Sequence, residues 1–249
     1  MSNRPKINVN EFFDELAARG FTHLFHSNSL ETSISFFRTA SLLSRDSCAT
    51  QTLPMSQQWS DSSDQEFGIW SDIFLNLNDQ HIVFKGPNKY GPILFSLNAE
   101  RLRKHLLENN LSLSITKAQP HNWQQTMTDN EKWQNSFEGI FKNPPNSENP
   151  KYLNGWPDVV ISGTNHDGLP IHLCDSVIVD QHPSILTYYS QVDSIFQTCL
   201  SSHRTSVLVS QRTCFVTGCK CKTLGSMPTG NFIYKYETLG WESEYGKIA

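Results

Sequence analysis

The sequence predicts an α+β fold whose strands form one or two mostly antiparallel or mixed sheets. Strand-like apolar runs recur along the chain, but helical stretches separate only some of them, so the order is neither regular βαβ nor all-β. Helix starts are marked by capping residues, and turns by Gly, Pro and Asn. No internal repeat and no interdomain linker interrupts the 249 residues, and a 37% hydrophobic composition can fill a sizeable core.

The elements follow in order. Asn8 or Asn10 caps a helix over 9–19, with Phe12, Phe13, Leu16 and Ala17 as its apolar stripe and Gly20 as its stop. Residues 21–25 read as a strand carrying Thr22-His23. Ser29 caps a second helix with apolar positions Leu30, Ile34, Phe37 and Ala40, and a further apolar run ends at Arg45. Residues 46–66, rich in Ser, Asp and Gln, read as a surface loop. His81–Lys85 reads as a strand, Gly86-Pro87-Asn88 as a turn and Pro92–Leu97 as another strand. Asn98 caps a helix to about Glu108, and Leu111–Lys117 alternates as a strand. The polar stretch 118–155 is a long excursion with one short helix near 129–141. Strands are expected again at Asp158–Ser162, Leu169–Leu173 and Ser176–Asp180, with His166-Asp167 as a hairpin turn. A helix over His182 to about Leu200 and short strands at Ser206–Ser210, Thr213–Thr217 and Asn231–Tyr236 complete the reading.

The net charge of −4 argues against a protein that coats nucleic acid non-specifically, which draws on Lys and Arg neutralising phosphates; a local basic groove stays open. The first 20 residues lack a secretory apolar core, and no run is long enough to span a bilayer. Six cysteines, unevenly placed, do not make a disulfide scaffold. A soluble cytoplasmic protein with reduced thiols is expected.

Residues 21–45 carry the clearest chemical signal. A strand-borne His, a polar turn and a helix start can hold a ribose hydroxyl beside a phosphate. His23 could equally be a half-buried residue bonded to a carbonyl, and His26 a turn residue or its replacement. Asp72, Asp79 and His81 read as capping residues of a loop that could also line a pocket. Cys214, Cys219 and Cys221, with Cys199 or His203, have poor zinc spacing and read as free thiols, so no metal is expected. Arg204, Arg212, Lys220 and Lys222, with Trp241 and Tyr245 beyond, make the C-terminal third locally basic: a solvated face, or a nucleic-acid contact.

Thr22-His23-Leu24, Asn28, Ser33-Ile34 and Leu42-Leu43-Ser44-Arg45 resemble the opening motif of ADP-ribosyltransferases that act on nucleic acids. The likeness is to DarT-type toxins that modify DNA and to related phage-defence toxins that modify RNA. Residues Phe25–Ser27 are an insertion relative to that pattern. The resemblance implies a single ADP-ribosyltransferase-like domain over 1–249, with 182–249 as a C-terminal extension. It implies split mixed sheets with flanking helices around a central cleft for NAD, which serves as substrate. His23 and Asn28 are then placed at the cofactor, Arg45 (rather than Arg38) at its pyrophosphate and Tyr90 on the nicotinamide. The family has a late Glu as its acid. Here Asp158, one methylene shorter, takes that position, with Glu138 as the other choice. RNA or single-stranded DNA is the implied target and an antitoxin protein the implied partner. An RNA 2′-phosphotransferase using NAD, which needs an Arg and His cluster, and a catalytically inactive interaction module are the other readings.

Overall fold

The computed structural model describes residues 4–58, 60–85, 88, 90–181, 196–198 and 207–213. Its strands are β1 (His23–Asn28), β2 (Ser41–Leu42), β3 (Ile73–Asn76), β4 (Ile93–Asn98), β5 (Ser112–Ile115), β6 (Asp158–Ser162), β7 (Leu169–Pro170), β8 (Cys174–Gln181) and β9 (Leu208–Thr213). Seven of them form one mixed sheet in the order β5-β6-β3-β1-β4-β8-β9, in which only β8 and β9 pair in parallel. β2 and β7 make a small second sheet. The α+β class with mixed sheets is the fold observed.

The large sheet is nearly divided at its centre. β1 pairs with β4 over six residues but meets β3 at one position, Phe25↔Asn76. Beyond it the strands separate. The His26 imidazole Nδ1 instead donates to the Phe74 carbonyl, at 2.8 Å. Two half-sheets, β5-β6-β3 and β1-β4-β8-β9, therefore share a narrow seam.

Helix α1 (Val9–Ala18) is capped by Asn8, whose Oδ1 accepts from the Glu11 amide. It buries Phe12, Phe13 and Leu16. Arg103 of α6 (Ala99–Glu108) reaches Asn10 and Asp14 of α1. Helix α2 (Leu30–Thr39), capped by Ser29, sets Phe36 and Phe37 on Phe95 of β4, with ring centroids 5.7 and 5.8 Å apart. One buried cluster runs from Ile7 to Val207 and takes in Leu24, Phe95, Leu97, Val159 and Val177. Val160 faces the other way, into a smaller cluster with Ile69, Trp123 and Trp133.

Several expectations are corrected. Residues 81–85 are not a strand: α5 (Gln80–Phe84) occupies them, because the Asp79 side chain caps the His81 amide and Lys85 closes the turn in the left-handed conformation. The β-branched pair Ile82-Val83 mimics a strand, but the Asp79 cap, itself held by Arg212 of β9, decides. Residues 46–66 are not all loop, since α3 (Arg45–Thr50) and α4 (Asp61–Glu66) lie there. Arg45 thus opens a helix rather than ending a strand. β3 is too short for its alternation to stand out between Ser71-Asp72 and Asn78-Asp79. The helix expected near 129–141 shrinks to α7 (Asp129–Lys132), after which Trp133 bridges to Thr116 in an extended backbone. Leu169–Leu173 is a two-residue strand followed by a 3-10 turn. His166-Asp167 is a turn but no hairpin, since β7 pairs with β2 rather than β6. β9 runs through Ser210–Arg212, where a break between two strands was expected. Of the helix expected over 182–200, residues 196–198 are helical and the rest lies outside the described residues. Gly86, Pro87, residues 214–217, Asn231–Tyr236 and the Cys214, Cys219 and Cys221 group lie outside them too. No described helix is long and apolar enough to cross a membrane.

Candidate active site

The seam opens into a cleft enclosing about 800 Å³ of space, including its mouth. β1 supplies His26 and Asn28, the start of α3 supplies Arg45, the segment before β4 supplies Tyr90, and β6 supplies Asp158. Four of the five expected site residues (Asn28, Arg45, Tyr90 and Asp158) are thus brought together, although they span 130 positions of sequence.

His23 is not among them. Alternation along β1 puts His23 and His26 on opposite faces. His23 Nε2 contacts Asp175 Oδ2 at 2.8 Å, and Asn98 and Arg101 hold the same carboxylate. His26 lines the cleft instead. Its Nδ1–H is committed to Phe74, so Nε2 is the acceptor, approached by Asn28 Nδ2 at 3.4 Å. Burial lowers its pKa against the opposing effect of the Phe74 carbonyl, so the imidazole is neutral at pH 7. The signal for this residue was available: Leu24 is core, and alternation puts His26 on the same side.

Asp158 is 4% exposed. Its Oδ1 accepts from Asn76 Nδ2 at 2.5 Å, and Gln80 Nε2 in turn donates to Asn76 Oδ1 at 2.8 Å. Its backbone amide donates to Thr116 Oγ1. This chain of amides aims the carboxylate across β3. Desolvation pushes the Tyr90 phenol pKa up, with the Asp158 and Asp64 charges adding to the shift, so it stays protonated. Gly91 explains how Tyr90 reaches this place: a Cβ there would lie 2.2 Å from the Asn28 carbonyl oxygen, and its φ of 138° suits glycine.

Arg45 Nη2 donates to Asp61 Oδ2 at 2.6 Å and to the Ser56 carbonyl at 2.9 Å. Its Nε and Nη1 are buried and make no hydrogen bond among the described residues. A buried guanidinium with two open donors suits an anion with two oxygens. Asp64 also lines the cleft; burial pushes its carboxyl up to about 6, with Asp61 adding to the shift and the Ser60 hydroxyl and Arg45 opposing it. Asp72 lines it as well, held by Arg4 at 2.7 Å. Asp79 and His81 do not: they join Asp180 and Arg212 in a separate buried cluster. Glu138, the other acid considered, opens a 3-10 turn and is absent from the cleft lining. Among the described residues, no group of three or more His, Cys, Asp or Glu is placed to hold a metal.

No protein-family model matches the chain, and no curated protein matches it by sequence. Among solved structures it is similar to the Thermus sp. 2.9 DarT in complex with ADP-ribosylated ssDNA. The identity is 10%, over 78% of this chain and 95% of that one, with a TM-score of 0.42. At that level of likeness, the fold class rests on the sheet order described above.

Proposed function

We propose that the chain is an NAD-dependent ADP-ribosyltransferase that modifies a base of RNA or single-stranded DNA, acting as a toxin with a cognate antitoxin protein. The observation that carries the reading is the convergence of a buried carboxylate, a neutral imidazole, an under-paired guanidinium and a half-buried tyrosine on one cleft. The opening motif shares Asn28, Leu43, Ser44 and Arg45 with the cleft lining.

Each group has a role in that chemistry. Arg45 Nε and Nη1 suit the pyrophosphate of NAD. His26 Nε2 accepts from a ribose hydroxyl, the role first assigned to His23. The Tyr90 ring offers a flat face to nicotinamide. Breaking the ribose C1′–nicotinamide bond leaves the electron pair on nicotinamide and positive charge on the ribose. The Asp158 carboxylate stabilises that charge and takes the proton lost when a base nitrogen bonds to C1′. The target base must be unpaired to reach C1′, which favours a single strand. The 2′-phosphotransferase reading finds one arginine in the cleft lining where a cluster is needed.

Incubating the full chain with NAD labelled in its adenylate moiety, and separately with RNA, single-stranded DNA and a protein lysate, tests this reading. Label on a nucleic acid with equimolar nicotinamide release is expected. Asp158→Ala is expected to lower turnover at least roughly 100-fold while NAD still binds. Full activity of that variant removes Asp158 from the mechanism, and failure of the native chain to bind NAD removes the proposal.

A further inference from the structure

Seven large apolar side chains are exposed among the described residues, and four of them lie together: Val83 of α5 shares a groove with Tyr152 and Trp156, and Phe84 packs on Trp156. Phe84 and Trp156 are 49% and 43% exposed yet pack on each other, with ring centroids 4.4 Å apart at 42°. Tyr152 is 56% exposed, with Lys142 Nζ over its ring at 4.3 Å. Lys151 Nζ lies over Phe21 at 5.2 Å. Val83, Lys142, Lys151, Tyr152 and Trp156 line a groove of about 1200 Å³, including its mouth, and Phe84 lies beside it against Trp156. Lys142 and Lys151 pair with no carboxylate among the described residues, and Lys85 is exposed at the end of α5. Among the described residues, Glu148 is the one acidic residue of the groove lining.

We infer that this groove binds the nucleotides flanking the target base, stacking unpaired bases on Trp156, Phe84 and Tyr152 while Lys142, Lys151 and Lys85 meet the phosphates. The inference rests on the proposed reading of the cleft and adds the path of the strand. Three features favour this occupant over an apolar protein surface. The exposed groups include three aromatic rings, which stack on any base. The cations are interleaved with the rings, matching a polymer that alternates bases and phosphates. The groove is also joined to the cleft by the chain itself: Trp156 stands two residues before Asp158. A net charge of −4 does not oppose it, because the positive charge is local. A duplex keeps its bases stacked inside and gains only the lysines.

Fluorescence anisotropy of 12-nucleotide single strands (mixed-sequence DNA and RNA) and of the matching duplex, with the full chain, tests the groove. The single strand is expected to bind more tightly than the duplex, and log affinity to fall against log salt with a slope of about −2, for three phosphate contacts. Trp156→Ala and Tyr152→Ala are each expected to weaken single-strand binding roughly 10-fold, and Lys142→Glu with Lys151→Glu to flatten the salt slope. Thermal melts identify variants that fail to fold; there, Trp156→Phe, which keeps a ring, is expected to retain binding while Trp156→Leu loses it. Equal binding of duplex, unchanged binding by folded Trp156 and Tyr152 variants, or a dimer on light scattering that covers this face overturns the inference. NAD turnover by the native chain is measured separately, so failure of the groove and failure of the cleft reading are told apart.

Discussion

His23 and His26 are three residues apart on one strand and have opposite surroundings. His23 is half-exposed and anchored to Asp175, an exposed pairing that contributes roughly 0.2–1 kcal/mol. His26 is turned into the cleft with one nitrogen committed to Phe74 and the other approached by Asn28. His26→Ala is therefore expected to weaken NAD binding roughly 10-fold by calorimetry, an amount typical of one lost hydrogen bond. His23→Ala is expected to leave it within error. The motif Thr22-His23-Leu24 lies on the strand that lines the cleft, with His23 on its other face, because a motif fixes sequence order whereas the face follows from register. Asp64 is the second test at this scale. A carboxyl raised to about 6 binds protons more tightly folded than unfolded, so its contribution to stability is full below its ordinary pKa near 4 and fades as pH rises through 6. Asp64→Asn is expected to raise the melting temperature at pH 8 and to change it little at pH 4. The native chain holding its advantage at pH 8 removes burial as the cause.

Among the elements, legibility followed capping. The helices at 9–18, 30–39 and 99–108 open on Asn8, Ser29 and Asn98, each visible as a side chain able to cap, and all three form as expected. β6 begins at Asp158 as read. The failures are short elements whose identity is decided by tertiary partners. α5 is held by Asp79, which caps it and also pairs with Arg212 of β9, while Arg212 contacts Asp180 of β8 through two nitrogens. No local pattern shows a pair 133 positions apart. This cluster ties α5 to the parallel edge strand. Asp79→Ala removes a cap and leaves a buried cation partly unpaired, a loss of about 3 kcal/mol in denaturant unfolding; Arg212→Ala is expected to match it. The double variant is expected to fall well short of the sum, since each single change already breaks the shared contact. Additive losses exclude the pairing as the link.

At the scale of the whole molecule, the α+β class was legible because strand runs and caps are local signals. The seam was not, because it depends on where a ladder stops. Asn28, Arg45, Tyr90 and Asp158 were each identifiable as chemical residues, whereas the supports of Asp158 (Asn76 and Gln80) look like ordinary polar residues until β3 and β6 are placed side by side. With one register pair and one imidazole–carbonyl contact across the centre, the half-sheets are expected to part more easily there than elsewhere. Hydrogen exchange with mass spectrometry is expected to show faster exchange for peptides covering 25–28 and 73–76 than for β4 and β8, and slowing at the seam when NAD is added. Uniform protection across the sheet contradicts this.

The bond from His26 to Phe74 then has a mechanical meaning. It is a latch worn by a ring of the cleft wall, so substitution of that ring is felt across the centre of the sheet. A molecule seated between Asn28 of β1 and Asp158 of β6 would brace the two half-sheets, as a keystone braces an arch.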